Sequence, residues 1–199
     1  MSNDNVIRYH NAVEESANGH RLVPLCDDLL DRRVIFFTNE VDAASSNELL
    51  LQLMYLEKKD NTQEITICFN SPGGLVRSGL AVYDYMKLMK SPLRTVCVGT
   101  AASMAALLFL AGDKREMLEH TKLMIHDPSI SGTIQSKKPH ELAKLAEDLQ
   151  KDKEITDKII ADATGKTVEE ISEITKNDTY FTAQEALDFG LATSLVTEL

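Results

Sequence analysis

The stretch from residue 94 to residue 126 constrains the fold more than any other part of the chain. It begins with residues 94–99 (RTVCVG), a short apolar run rich in β-branched residues that predicts a buried strand. Residues 100–102 are then expected to turn the chain into an apolar helix over residues 104–111. A second strand is predicted over residues 122–125. A strand, a helix and a further strand in succession favour a parallel α/β sheet with right-handed crossovers.

Two polar residues of this stretch lie where each predicted strand ends. Ser103 opens the apolar helix, where free N–H groups and the helix dipole favour negative charge, and His126 follows the second strand. Open α/β sheets place their sites at the carboxyl ends of strands, so the pair predicts a nucleophile and a base at one rim. The alternative interpretation is a helix-capping Ser and a surface His.

The same alternation of strands and helices runs through most of the chain. The remaining predicted elements are strands at 33–38 and 64–69, helices at 43–56 and 75–89, and a long charged helix at 139–163 that begins with Pro139. The helical spacing of apolar residues in this last helix predicts one apolar side, formed by Leu142, Leu145, Leu149, Ile155 and Ile159. Residues 1–20 are polar without periodicity and predict a mobile segment or an arm that orders only against a neighbour. Residues 127–138 predict a polar loop or an edge strand. Capping-box patterns start two short helices, at Thr167 and at Thr182.

Composition narrows the class of protein. At 199 residues the chain is expected to form one domain, and its net charge of −10 without a basic block argues against nucleic acid and anionic membranes as partners. No stretch approaches the roughly 20 apolar residues of a membrane span, and no signal-peptide run begins the sequence. The scattered Cys26, Cys68 and Cys97 have no metal-binding spacing and predict reduced thiols. We therefore expect a cytoplasmic protein without a metal.

A Gly-Gly pair supplies a third element of a possible site. Pro72, Gly73 and Gly74 follow the strand at 64–69, and glycines at such a position expose backbone N–H groups. Acyl transfer needs such donors for the developing oxyanion, together with the amide of the residue after the nucleophile, here Met104. A tight turn explains the glycines equally well, whereas a phosphate cradle is disfavoured because no Lys follows.

Five segments together carry a resemblance to a known family. RVIFFTNEVD, FNSPGG, GTAASMAALLFLAG, LMIHDP and YFTAQEALDFGL occur in this order. In them the chain resembles, over about residues 32–195, the ClpP family, the proteolytic subunits of the Clp protease. This resemblance implies the ClpP/crotonase-like α/β fold, with stacked ββα units and a projecting handle helix at residues 139–163. It divides the single domain into an arm (1–20), a head (21–126), a handle (127–165) and the rest of the head (166–199).

The resemblance also assigns roles to residues of the site. It implies Ser103 as nucleophile, His126 as general base and Asp178 as the third member of the triad, with the amides of Gly74 and Met104 forming the oxyanion hole. Asn177 is the alternative third member if the alignment shifts by one residue. Asp127, next to the base, is expected to cap the turn that follows.

Assembly and partners follow from the same resemblance. It implies heptameric rings stacked as a tetradecamer through the handle, and an ATP-driven AAA+ unfoldase of the ClpX, ClpA or ClpC type that feeds in unfolded protein substrates. A second ClpP paralogue is a further possible partner. No nucleotide motif is found in this sequence, so no cofactor is expected in this chain and ATP would be used by the unfoldase.

Three departures from the family pattern leave alternatives open. The span from Ser103 to His126 is two residues shorter than usual and is similar to that of phage head-maturation proteases. Lys176 and Asn177 stand where the family often has Asp-Arg, a pair that bonds between stacked rings. Residues 1–20 and 22–30 match poorly. The alternatives are therefore a phage-type protease, a weakly active or scaffolding paralogue in a mixed ring, and a crotonase-type hydratase or thioesterase.

Overall fold

Seven strands form one sheet in the computed structural model, which describes residues 11–16, 19–129 and 138–197. Numbered after an N-terminal hairpin of β1 (Asn11–Ser16) and β2 (Gly19–Pro24), its strands are β3 (Val34–Phe37), β4 (Ile65–Ser71), β5 (Leu93–Ala102), β6 (Lys114–Met117), β7 (Lys122–Ile125), β8 (Thr179–Thr182) and β9 (Ser194–Leu195). The main path of the sheet is parallel throughout, in the order β3-β4-β5-β6-β9. Strand β7 pairs in parallel with β5, and β8 pairs antiparallel with β7. The predicted α/β class with a parallel sheet is confirmed.

Helices pack around this sheet, and one of them is entirely buried. They are α1 (Leu25–Asp31), α2 (Ala43–Lys59), α3 (Val76–Leu88), α4 (Met104–Leu110), α5 (Pro139–Thr164), α6 (Val168–Thr175) and α7 (Ala183–Phe189). Every residue of α4 is buried, as its wholly apolar sequence requires. The core joins α4 to the inward side of α2 and to β4. Helix α4 therefore fixes the residue that precedes it, Ser103, against the core.

The predicted strand and helix positions are confirmed with shifts at their ends, and one of these shifts is a correction. Residues 100–102 were expected to form a turn, but β5 continues through them to Ala102. They stay extended because Thr100, Ala101 and Ala102 pair with Lys122 to Met124 of β7. The first half of β5, by contrast, pairs with β6.

The N-terminal region contains a hairpin that the sequence pattern did not predict. Strands β1 (Asn11–Ser16) and β2 (Gly19–Pro24) pair antiparallel, with Ser16 opposite Gly19. Where they fall within residues 1–20, these strands order against each other, which corrects the prediction of a mobile arm or one ordered only by a neighbour. Residues 1–10 and 17–18 lie outside the described residues. Helix α1 follows β2 directly.

Helix α5 has the predicted length but a different buried surface. Pro139 occupies its first turn, as predicted. Its buried residues all lie in the C-terminal half, between Thr156 and Ala161, whereas Leu142 and Ile155 are exposed although the periodicity placed them on an apolar face. Most of the polar segment predicted before this helix, residues 130–137, lies outside the described residues.

The predicted signals at helix ends are confirmed. Thr167 and Thr182 form the predicted capping boxes with Glu170 and Glu185, and Gly190 ends α7 in the left-handed conformation. Within the described ranges, no helix is both long enough and apolar enough to cross a membrane.

Candidate active site

The turn from β5 into α4 presents Ser103 in a strained conformation. Ser103 is the N-cap of α4, with φ 53° and ψ −125°, and its side chain caps no helix amide. A positive φ at a residue other than glycine costs on the order of 1–3 kcal/mol. Burial of α4 and the hydrogen bond that the Ser103 amide donates to Met124 O (2.8 Å) offset this cost. The hydroxyl is thereby left free to bond elsewhere.

The imidazole of His126 lies beside that hydroxyl. Because Ala102 pairs with Met124, the residues that follow β5 and β7 emerge at the same sheet edge. Ser103 Oγ and His126 Nε2 are 2.9 Å apart, which is hydrogen-bond distance. The structure therefore brings Ser103 and His126 together at one rim of the sheet, as predicted.

Asp178 completes the chain of side chains. Ile125 pairs with Thr179 in the antiparallel ladder between β7 and β8, so the residue before β8 stands beside the residue after β7. Asp178 Oδ1 lies 2.8 Å from His126 Nδ1. A carboxylate only accepts, so Nδ1 carries the proton, and Nε2 is free to accept the Ser103 hydroxyl hydrogen.

Asn177, the alternative third residue, has different surroundings. Its side chain is exposed, and its backbone oxygen accepts a hydrogen bond from Thr179 Oγ1 at 3.3 Å. It is Asp178 that contacts the imidazole.

The Gly-Gly turn lies directly against the Ser103 turn. Gly73 and Gly74 both have positive φ, 91° and 149°. A Cβ on Gly73 would lie 2.9 Å from the Met104 amide nitrogen, and one on Gly74 would lie 2.3 Å from Val41 O. As the first residue of α4, Met104 has an amide without an acceptor one turn earlier in the helix. The amides expected to form an oxyanion hole therefore belong to two turns in contact.

A cleft of about 510 Å³ opens onto these groups. Gly74, Ser103 and His126 line it, and so does Asp152 of α5. Arg77 Nη2 of α3 forms an ion pair with Asp152 Oδ1 at 3.3 Å, which joins two helices that line the cleft.

Asp127 bonds to a distant helix, and the segment whose first turn it is expected to cap runs into residues 130–137, which lie outside the described residues. Its carboxylate accepts a hydrogen bond from Lys153 Nζ, 26 residues later on α5, at 2.5 Å. Its backbone amide donates to Thr175 O at 2.7 Å. No nearby signal in the sequence indicates Lys153, because it lies on another helix.

Comparison with protein-family models gives one result that covers nearly the whole chain. The family described as Clp protease matches residues 17–198. The matched range includes every candidate site residue.

Proposed function

Because the chain belongs to the Clp protease family, a family of serine peptidases, we propose that it is the proteolytic subunit of an ATP-dependent Clp protease. The reaction is hydrolysis of peptide bonds in unfolded proteins. The observation that carries this proposal is the continuous hydrogen-bonded chain from Ser103 Oγ through His126 to Asp178 Oδ1. A crotonase-type reaction is disfavoured because those sites use carboxylates with oxyanion-hole amides, without a Ser-His pair.

The first half of the proposed reaction forms an acyl-enzyme. Ser103 Oγ attacks the scissile carbonyl carbon while His126 Nε2 takes the hydroxyl proton. The Asp178 carboxylate holds the imidazole tautomer and stabilises the imidazolium. The amides of Gly74 and Met104 donate to the oxyanion, and one such donor is typically worth about 10²–10³ in kcat. The intermediate collapses as His126 passes the proton to the leaving amine.

The second half releases the acyl group. Water enters as the amine leaves, and His126 removes a proton from this water while the water oxygen attacks the ester carbonyl carbon. The tetrahedral intermediate expels Ser103 Oγ, which regains the proton from His126. Side chains, backbone amides and water perform every step, so this chain itself needs no cofactor in the proposal.

Covalent labelling tests the nucleophile. We expect a fluorophosphonate to label Ser103, and Ser103→Ala to abolish both labelling and peptide cleavage. Because the side chain only loses its oxygen, a folded Ser103→Ala protein is the matched control. Labelling that survives the substitution would show that the nucleophile lies elsewhere.

The partners of the proposed enzyme follow from its family. We place the chain in the cytoplasm, in heptameric rings stacked through α5 into a tetradecamer. An AAA+ unfoldase of the ClpX, ClpA or ClpC type would spend ATP to feed unfolded chains to the rings. The exposed Leu142 and Ile155 on α5 are available for such packing between copies.

Stacking of the rings is expected to be weak. The family's Asp-Arg pair is replaced by Lys176 and Asn177, so a bidentate, charge-assisted contact between rings cannot form there. Lys176 Nζ is instead paired with Glu173 of its own chain at 2.5 Å. Each lost contact is worth on the order of one to a few kcal/mol and is repeated around the ring. We therefore propose single or loosely held double rings with low intrinsic peptidase activity.

Light scattering coupled to size exclusion, with peptide turnover measured on the same fractions, tests this proposal. Changing Lys176→Asp together with Asn177→Arg restores the family pair and should raise both the double-ring fraction and turnover. Full activity would otherwise need a docked unfoldase or a second ClpP paralogue. A stable, fully active double ring of the unmodified chain alone would contradict it.

A further inference from the structure

Lys153 is the cation of a cluster directly behind the active site. Its Nζ donates to Asp127 Oδ1 at 2.5 Å, to Asp157 Oδ2 at 2.8 Å and to Thr175 Oγ1 at 3.2 Å. The Lys153 side chain is 17% exposed and that of Asp157 is 4% exposed. All three donor positions of the ammonium group therefore have an acceptor within the protein.

The cluster contacts both chain segments that carry the polar partners of Ser103, the one at His126 and the one at Asp178. Asp127 follows His126 directly, and Thr175 is three residues before Asp178. The two segments are also bonded to each other, through the Asp127 amide and Thr175 O at 2.7 Å. Lys153 thus contacts one residue of each segment, from a helix that carries no proposed catalytic group.

The electrostatics explain why a cation is needed at this position. Burial by itself would lower the pKa of the Lys153 ammonium, but the hydrogen bonds and charges of Asp127 and Asp157 outweigh it and raise that pKa. Without the cation, the Asp127 and Asp157 carboxylates that it bonds would be left without their shared counter-charge, and Asp157 would keep only the hydrogen bond from the Thr175 hydroxyl at 3.0 Å. Removing one member of a buried charge cluster leaves uncompensated charge and forces rearrangement.

We propose that Lys153 is a positioning residue, which through Asp127 and Thr175 holds His126 and Asp178 in hydrogen-bonding register with Ser103. This role rests on the proposed peptidase function. The β7–β8 ladder fixes the two segments from the strand side, up to Ile125 and Thr179. Lys153 fixes them beyond the ends of these strands, where the ladder no longer does.

The position of Lys153 predicts which kinetic constant it affects. It lies in a groove lined by α5 and α6, together with Asp157, Glu169 and Glu173, whereas the substrate cleft opens at Ser103 and His126. A displacement of about 1 Å in a catalytic group can cost on the order of 10²-fold in rate. Loss of the cation should therefore lower kcat and the rate of Ser103 labelling, and leave KM unchanged.

Three variants of the protein test the role, and Lys151→Met is the matched control. Lys151 is an exposed lysine on the same helix, and its ammonium group pairs with Glu147 of that helix. We expect Lys153→Met to lower kcat and fluorophosphonate labelling by about 10- to 100-fold at unchanged KM. Lys153→Arg, which keeps the charge, should recover most of both rates. The Lys151→Met protein should behave as wild type.

Asp127→Asn covers the case in which Lys153→Met does not fold. It keeps the volume and leaves Lys153 bonded to Asp157 and Thr175, so folding should survive while kcat falls several-fold. A folded Lys153→Met or Asp127→Asn protein with wild-type kcat refutes the positioning role. A rise in KM without a fall in kcat refutes it as well, and so does a folded Lys153→Arg protein that does not recover kcat. Wild-type protein without Ser103-dependent labelling would refute the proposed function, and the positioning role with it.

Discussion

A methyl group at Gly73 should disturb the active site through the backbone. The Cβ of Gly73→Ala would lie 2.5 Å from Ala102 O, 2.8 Å from Ser103 Cβ and 2.9 Å from the Met104 amide nitrogen. None of these three atoms can move by a side-chain rotation. The new methyl group therefore has to push the Ser103 turn away from the Gly-Gly turn.

The size of the effect has two parts. Gly73 has φ +91°, and holding an L-residue at positive φ costs roughly 1–2 kcal/mol. Overpacking against a rigid neighbour adds roughly 1–3 kcal/mol. A domain of this size loses roughly 2–4 °C of Tm for each kcal/mol. Displacing Ser103 from the amides of Gly74 and Met104, the proposed oxyanion hole, should also lower kcat/KM by about 10²-fold or more.

Gly165→Ala is the control that separates the two parts. Gly165 has φ +72°, and its Cβ would meet nothing within 4 Å, so only the backbone cost of roughly 1–2 kcal/mol applies. Thermal melting and peptide cleavage of both variants are the measurements. Equal Tm losses, with full activity of Gly73→Ala, would refute the reasoning that this glycine is required by its contact with the nucleophile turn.

Two further predictions concern the triad and the acid sensitivity of the fold. Asp178→Ala should lower kcat by about 10³–10⁴ because the imidazole loses the group that fixes its tautomer. Asn177→Ala should change peptide turnover little, and the opposite ranking would contradict the assignment of Asp178. Burial acts to raise the pKa of Glu57, but hydrogen bonds from Ser91 and Lys90 outweigh it and lower that pKa. The stabilisation is therefore present above the unfolded pKa of about 4.3 and is lost as pH falls through the lowered folded pKa. Urea melts should show Glu57→Gln destabilising the protein more at pH 7 than at pH 3, and an equal effect at both would contradict this.

The parts of the site that the sequence predicts are those with strong local patterns. The β-branched and apolar runs of β4, β5 and β7 mark buried strands without reference to the rest of the chain. Ser103 and His126 could be paired in advance because each directly follows such a strand. The glycines after β4 were placed beside them by the same rule.

The parts that were missed depend on contacts between distant segments. Strand β6 (KREM) has three charged residues of four and is a strand because it pairs with β5 and β9. The β1–β2 hairpin has too few apolar residues for a periodic pattern. The ion pair of Asp127 was missed because its partner Lys153 lies 26 residues away on another helix. Long-range pairing decides each of these cases, and a local pattern carries no information about it.

The direction of β8 explains why Asp178 could be found only through a family resemblance. Asp178 precedes its strand, and in an all-parallel sheet a residue before a strand lies at the edge opposite to His126, which follows one. Strand β8 runs antiparallel to β7, with Thr179 opposite Ile125, and this reversal brings the residue before β8 to the edge where β7 ends. The rule that sites lie at the carboxyl ends of parallel strands therefore accounts for Ser103 and His126 but not for Asp178. One antiparallel strand added to a parallel sheet therefore brings the Asp178 carboxylate to the His126 imidazole.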